Sequence, residues 1–284
     1  MRETSNPVFR SMPKQGGYAQ FGTGMAGATQ QMSQTYQADP AMLQYQQQQQ
    51  VSRPLTIDDV VTKTGITLGV LSLSAIVSFF MVTSNQALAG PLAMIGALGG
   101  LALVLIGTFA RKQDSKALVL SYAVLEGMFL GAISFVLTAL TVGTSNAGSM
   151  IGQAVMGTFG VFGGMLVVYK TGAIRVTPKF TRMLVASMFG VLALMIGNLV
   201  LSLFGVGGGE GLGLRSGGTL SIVFSLVCIG IAAFSFLIDF DAADQLIRAG
   251  APEKAAWGIA LGLTVTLVWL YIEILRLLSY FQNE

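Results

Sequence analysis

Seven stretches of this chain stay apolar for about 20 residues each, the length a helix rising 1.5 Å per residue needs to cross the roughly 30 Å hydrocarbon core of a bilayer. They lie near 65–84, 91–110, 117–140, 151–169, 182–204, 219–238 and 257–281. None shows the strict alternation of apolar and polar residues that a membrane-spanning barrel strand requires. The expectation is therefore an all-α membrane protein, a single domain of seven transmembrane helices over residues 55–284. Composition agrees: 53% of the chain is hydrophobic and 10% charged, against roughly 25% charged in water-soluble domains.

The same sequence excludes several chemistries. Histidine is absent from all 284 residues, which removes His-based triads, HExxH zinc sites and any imidazole proton switch. The single cysteine, Cys228, lies in an apolar run and can form neither an intrachain disulfide nor a CxxC metal site. Intramembrane aspartyl proteolysis would need a motif such as GxGD, which is missing. No enzyme and no cofactor are expected. A net charge of +3 gives no warrant for a nucleic-acid partner. The glycine-rich stretch 205–218 fits neither GxGxxG nor Walker spacing, and reads as a flexible external loop between two spans.

Residues 1–54 are rich in Gln, Gly, Ser, Tyr and Met, with a run from Gln46 to Gln50, and read as a disordered cytoplasmic tail. No basic segment followed by an apolar one marks a cleaved signal peptide near Met1. Order is expected to begin at Thr56-Ile57-Asp58-Asp59, a helix start that leads into the first span. The second, fourth and sixth connections carry three, four and two Lys or Arg; the first, third and fifth together carry only Arg215. That asymmetry places the even connections and the tail in the cytoplasm, with the protein in the inner membrane.

Carboxylates inside apolar spans cost about 2.5–3.5 kcal/mol each on insertion scales, so they are the candidates for function. Glu126 lies near the middle of the third span, as a proton- or cation-binding group or as a protonated packing residue. Asp239 ends the sixth span, followed by Asp241 and Asp244, and reads as a site residue or as the solvated end of a helix. Glu273 lies deep in the last span with Arg276 three residues on, the spacing of a local ion pair. Asp241 and Arg276 are supporting candidates. No set of residues marks a definite metal site.

The Glu126-Gly127 pair followed by Gly131, Ile238-Asp239-Phe240 in the sixth span, and Leu270-Tyr271-Ile272-Glu273-Ile274-Leu275 in the last resemble the Bax inhibitor family, in its bacterial YccA-like branch. Ser5-Asn6-Pro7-Val8-Phe9 and the segment 55–64 look like its actinobacterial members. The resemblance covers residues 55–281. It implies a pH-sensitive calcium leak channel whose last helix is central and ringed by the other six. It further implies that an acid on the sixth helix and one on the seventh share a proton and hold the pore shut, roles that fall to Asp239 and Glu273. Such a pair makes physical sense, because two close carboxylates in a low dielectric cannot both ionise easily.

Two departures bear on that assignment. Glu stands in the last helix where many relatives have Asp. If the chain turns at Gly250-Ala251-Pro252, Asp239 lies 13 residues before Pro252 and Glu273 lies 21 after, an offset of roughly 12 Å of helix that stands against direct contact and makes Glu126 the nearer candidate partner of Glu273. The function expected is a pH-sensitive cation leak channel, for calcium foremost, gated by protonation of Glu126, Asp239 and Glu273, with calcium or protons as its ions. The alternative is a scaffold or regulator that binds other membrane proteins, such as a membrane protease, with the lipid bilayer as common partner.

Overall fold

The computed structural model describes residues 53–139 and 143–282. Residues 1–52, on which most of the tail expectation falls, lie outside that range. The described chain forms seven long helices: α1 (Ile57–Ser84), α2 (Ala89–Phe109), α3 (Lys116–Ala139), α4 (Gly143–Thr171), α5 (Pro178–Leu203), α6 (Thr219–Arg248) and α7 (Ala255–Phe281). All seven are long and apolar enough to cross a membrane. Their outer faces carry Leu98 and Leu101 on α2, and Phe189 and Leu199 on α5, all largely exposed. Such surfaces are stable only where lipid replaces water.

Local chemistry sets the ends. Thr56 caps α1 through a capping box: its hydroxyl oxygen accepts from the Asp59 amide at 3.3 Å, and the Asp59 carboxylate accepts from the Thr56 amide at 3.0 Å. The helix begins where the sequence predicts and then runs unbroken for 28 residues. Asn85 ends it in an extended conformation. Thr177 caps α5, with Pro178 in the first turn, where its missing N–H costs nothing.

The main difference from expectation lies in α6, which continues ten residues past 238. Side-chain pairs four residues apart carry it onward: Gln245 donates to Asp241 at 2.6 Å, and Arg248 to Asp244 at 2.7 Å. Asp239 is consequently a mid-helix residue and not the solvated end of a helix.

α7 is central. It packs against α1, α3, α4 and α6, whereas the main contacts of α2 are with α3 and those of α5 with the turn Val206–Gly209 and with α6. Small residues allow the tightest crossing, between α1 and α3. A Cβ at Gly127 would strike the Leu71 carbonyl and one at Gly131 the Ala75 carbonyl, and the hydroxyls of Ser74 and Ser78 donate across the crossing to the Val124 and Met128 carbonyls, both at 2.7 Å. The small-residue run on α4 is used less than its composition suggests. A Cβ at Gly157 would lie 3.4 Å from the Ile274 side chain, but one at Gly160, Gly163 or Gly164 would meet nothing within 4 Å.

The α6–α7 connection is tied to the chain entering α1. Pro54 and Pro252 form an antiparallel bridge, the Leu55 amide donates to the Ala251 carbonyl at 2.8 Å, and the Glu253 amide donates to the Arg53 carbonyl at 3.1 Å. This end of the bundle, which also holds the α2–α3 and α4–α5 connections, is the basic end. The other is the glycine-rich end, after the α5–α6 connection.

Candidate functional site

Asp239 and Glu273 occupy different levels of the α6–α7 hairpin. In an antiparallel pair, residues equally distant from the turn face each other. Asp239 lies 13 residues before Pro252 and Thr266 lies 14 after, and the Thr266 hydroxyl donates to the Asp239 carboxylate at 2.8 Å. The partner that α7 offers Asp239 is thus a hydroxyl and not an acid. The shared proton implied by the resemblance has no geometric basis here, because Glu273 stands two turns further along α7, roughly 10 Å away along the axis.

Beside Asp239 lies a cavity of about 420 Å³, lined from α6 by Asp239, Ala242 and Leu246, from α7 by Gly258 and Gly262, and from the α2–α3 connection by Arg111 and Asp114 among others. Glycine at 258 and 262 opens this side of α7, where Ala255 and Ile259 supply the side chains that line the cavity. A Cβ at Gly262 would come within 3.9 Å of the Asp239 Oδ1. Because the α2–α3 connection lines its rim, the cavity reaches the basic end of the bundle. Asp241 does not line it, and its carboxylate instead accepts from Gln245.

Toward the glycine-rich end the hairpin is apolar. Phe236, Leu267 and Leu270 belong to one buried cluster between the levels of the two acids. Beyond it Glu273, only 2% exposed, carries two arginines: Arg215 donates to both of its carboxylate oxygens, at 2.8 and 3.0 Å, and Arg276 donates at 3.1 Å. The i,i+3 pair with Arg276 is the one the sequence predicts. Glu126 does not take part in it.

Arg215 was not foreseen as a site residue. The stretch 205–218, expected to be a flexible loop, folds back over α7. Asn198 Oδ1 accepts from the Leu212 amide at 2.7 Å, Ser221 donates to the Gly213 carbonyl at 2.9 Å, and Leu214 is buried with Val191, Phe224 and Cys228. The Arg215 guanidinium also lies 5.1 Å from the centre of the Phe224 ring. The one signal in sequence was that Arg215 is the sole basic residue of the odd-numbered connections, at the end where Glu273 needs a counter-charge.

Glu126 lies apart from both acids. It projects from α3 toward α2, where a Cβ at Gly100 would come within 2.5 Å of its Oε2. Among the described residues no hydrogen bond or ion pair holds it.

A seven-helix bundle wrapped on its last helix, with one carboxylate in a cavity and another sealed by arginines, is a multi-pass α-helical membrane protein with charged groups along its central seam. Residues 6–283 match the family model described as Bax inhibitor 1 like, and the chain belongs to that family. No curated protein matches it.

Proposed function

We propose that the protein is a gated cation leak, for calcium foremost, running along the α6–α7 seam, and that the arrangement described is its closed state. The observation that carries this reading is the Asp239 carboxylate, half-buried mid-helix and facing a cavity that reaches the basic end. An intramembrane acid has a cost that packing alone does not repay, and ionised oxygens are ligands that suit calcium. Phe236, Leu267 and Leu270 are the barrier beyond it, and the arginine-bound Glu273 closes the far end. The choice of calcium rests on family resemblance.

Sensitivity to pH follows in this reading from Asp239 alone. Protonation cancels the charge that attracts the cation. The groups around it are Thr266 and Gly262 from α7, with Arg111 and Asp114 at the cavity rim. The basic end and the 1–54 tail face the cytoplasm, and the protein does no covalent chemistry.

The test is calcium flux into liposomes holding the purified full chain, between about pH 5 and 8, for the native protein and Asp239→Asn. Flux that depends on pH in the native protein and loses that dependence in the variant is expected. No flux above empty liposomes, with folded protein verified, overturns the reading.

A further inference from the structure

The buried carboxylate of Glu273 is bound by two arginines of different kinds. Arg276 is on the same helix, one turn away, so the rigid backbone of α7 keeps it within reach of Glu273. Arg215 arrives from a connection between helices, 58 residues away in sequence. Removing the sole partner of a buried charge is strongly unfavourable because the charge is left uncompensated. Here, departure of Arg215 leaves Glu273 still neutralised by Arg276 at 3.1 Å. The contact is therefore releasable in a way that an ordinary buried pair is not.

The connection itself is suited to movement. Seven glycines from Gly205 to Gly217 hold positive φ, a backbone conformation that side-chain-bearing residues rarely adopt, so few side chains anchor the segment to the bundle. Two adjacent side chains reach inward onto the α6–α7 seam, Leu214 packed over Phe224 and Cys228 and Arg215 on Glu273, while the Gly213 carbonyl and the Gly217 amide are tied to the Ser221 hydroxyl at the start of α6. The Arg215 side chain is 21% exposed, which places it at the boundary between the seam and the surface. Lifting these two residues uncovers Cys228 and the Glu273 carboxylate together.

We propose that the segment 205–218 is a releasable plug, with Leu214 as its stopper and Arg215 as its latch, and that its release opens the glycine-rich end of the seam to water. This conformational role is separate from the leak reading and stands whether or not cations cross.

Cys228, the chain's only cysteine and fully buried, reports on it directly. The measurement is the alkylation rate of Cys228 by a membrane-impermeant maleimide, in full-length protein in nanodiscs that leave both faces accessible. Arg215→Gln is compared with the native protein and with Arg215→Lys, which keeps the charge but not the two-pronged contact. The control is Ala123→Cys in a Cys228→Ala background, with and without Arg215→Gln, since Ala123 is fully buried between other helices. The plug predicts that Arg215→Gln speeds Cys228 labelling by about tenfold or more, that Arg215→Lys falls between, and that the control cysteine stays slow. Unchanged Cys228 labelling in Arg215→Gln overturns the proposal. So does equal acceleration at the control cysteine, which means general loosening of the bundle.

Discussion

The Thr266 hydroxyl meets the Asp239 carboxylate 2.8 Å away, at the level of the α6–α7 hairpin where two antiparallel helices leaving one turn must face each other. Glu273 is two turns too far along α7 to reach that level. Because Thr266 is a donor that ionises only far above neutral pH, the seam contains one isolated carboxylate at this level and not a coupled pair.

Thr266→Val keeps the shape of the side chain and removes the donor. Asp239 then loses its one protein hydrogen bond among those described, of the charged kind, and the fold is expected to lose about 1.5 kcal/mol. Thermal unfolding in detergent at neutral pH checks this. The double variant Thr266→Val with Asp239→Asn should lose less than the sum of the two single changes, as groups in direct contact do; additive losses would show that the contact contributes nothing.

Glu273→Gln removes the charge that both Arg215 and Arg276 need. Their side chains are 21% and 18% exposed, so neither is well solvated once the carboxylate is gone. Breaking a buried pair by removing one partner costs about 3–5 kcal/mol, and the partial exposure of the arginines puts the expected loss at about 3 kcal/mol. The melting temperature of the purified variant measures it. A loss as small as a surface substitution would mean that water already compensates the two arginines.

Gly131→Ala tests the α1–α3 crossing. The added methyl would strike the Ala75 carbonyl and lie 2.7 Å from the Ser78 Cβ, so α1 must retreat and stretch the Ser78 hydrogen bond to Met128. Overpacking of this kind costs about 1–3 kcal/mol. Gly160→Ala on α4, where a methyl meets nothing, serves as the matched comparison and should melt with the native protein or slightly above it, since alanine favours a helix over glycine.

What the sequence makes legible follows from which interactions are local. The helices are legible because apolar length alone dictates them, and the α1 start because Thr56 and Asp59 are three residues apart. The end of α6 is hidden, since hydropathy stops at residue 238 while the helix is continued by polar pairs. Thr266 is recoverable by counting outward from Pro252, though a hydroxyl on an apolar helix gives no signal of its own. Arg215 is not recoverable this way: its contact with Glu273 depends on how a glycine-rich segment folds back, and composition specifies freedom there without specifying path. The direction in which Glu126 points is equally hidden, being fixed by how α2 leans on α3.

At the basic end, Glu253 joins the chain before α1 to the α6–α7 connection. Lys63 donates to its carboxylate at 2.9 Å and to its carbonyl at 3.0 Å, and Arg53 stands 3.4 Å from its other oxygen. The Lys63 hydrogen bond first, and the Lys63 charge next, hold the Glu253 carboxyl below its ordinary value. A carboxyl depressed in the folded state contributes stability that is present above the unfolded value of about 4.3 and is lost as pH falls through the folded value. Hydrogen exchange at the Leu55 amide, which is bonded to the Ala251 carbonyl, reads this junction directly. After correction for intrinsic exchange, protection in the native protein should decline as pH drops below that ordinary carboxylate value, modestly, as befits a solvent-accessible pair. The comparison with Glu253→Gln isolates the Glu253 part: the variant should begin with lower protection at neutral pH and converge on the native protein in acid. Parallel curves at every pH would show that the backbone bridge between Pro54 and Pro252 holds the junction without help from the charge.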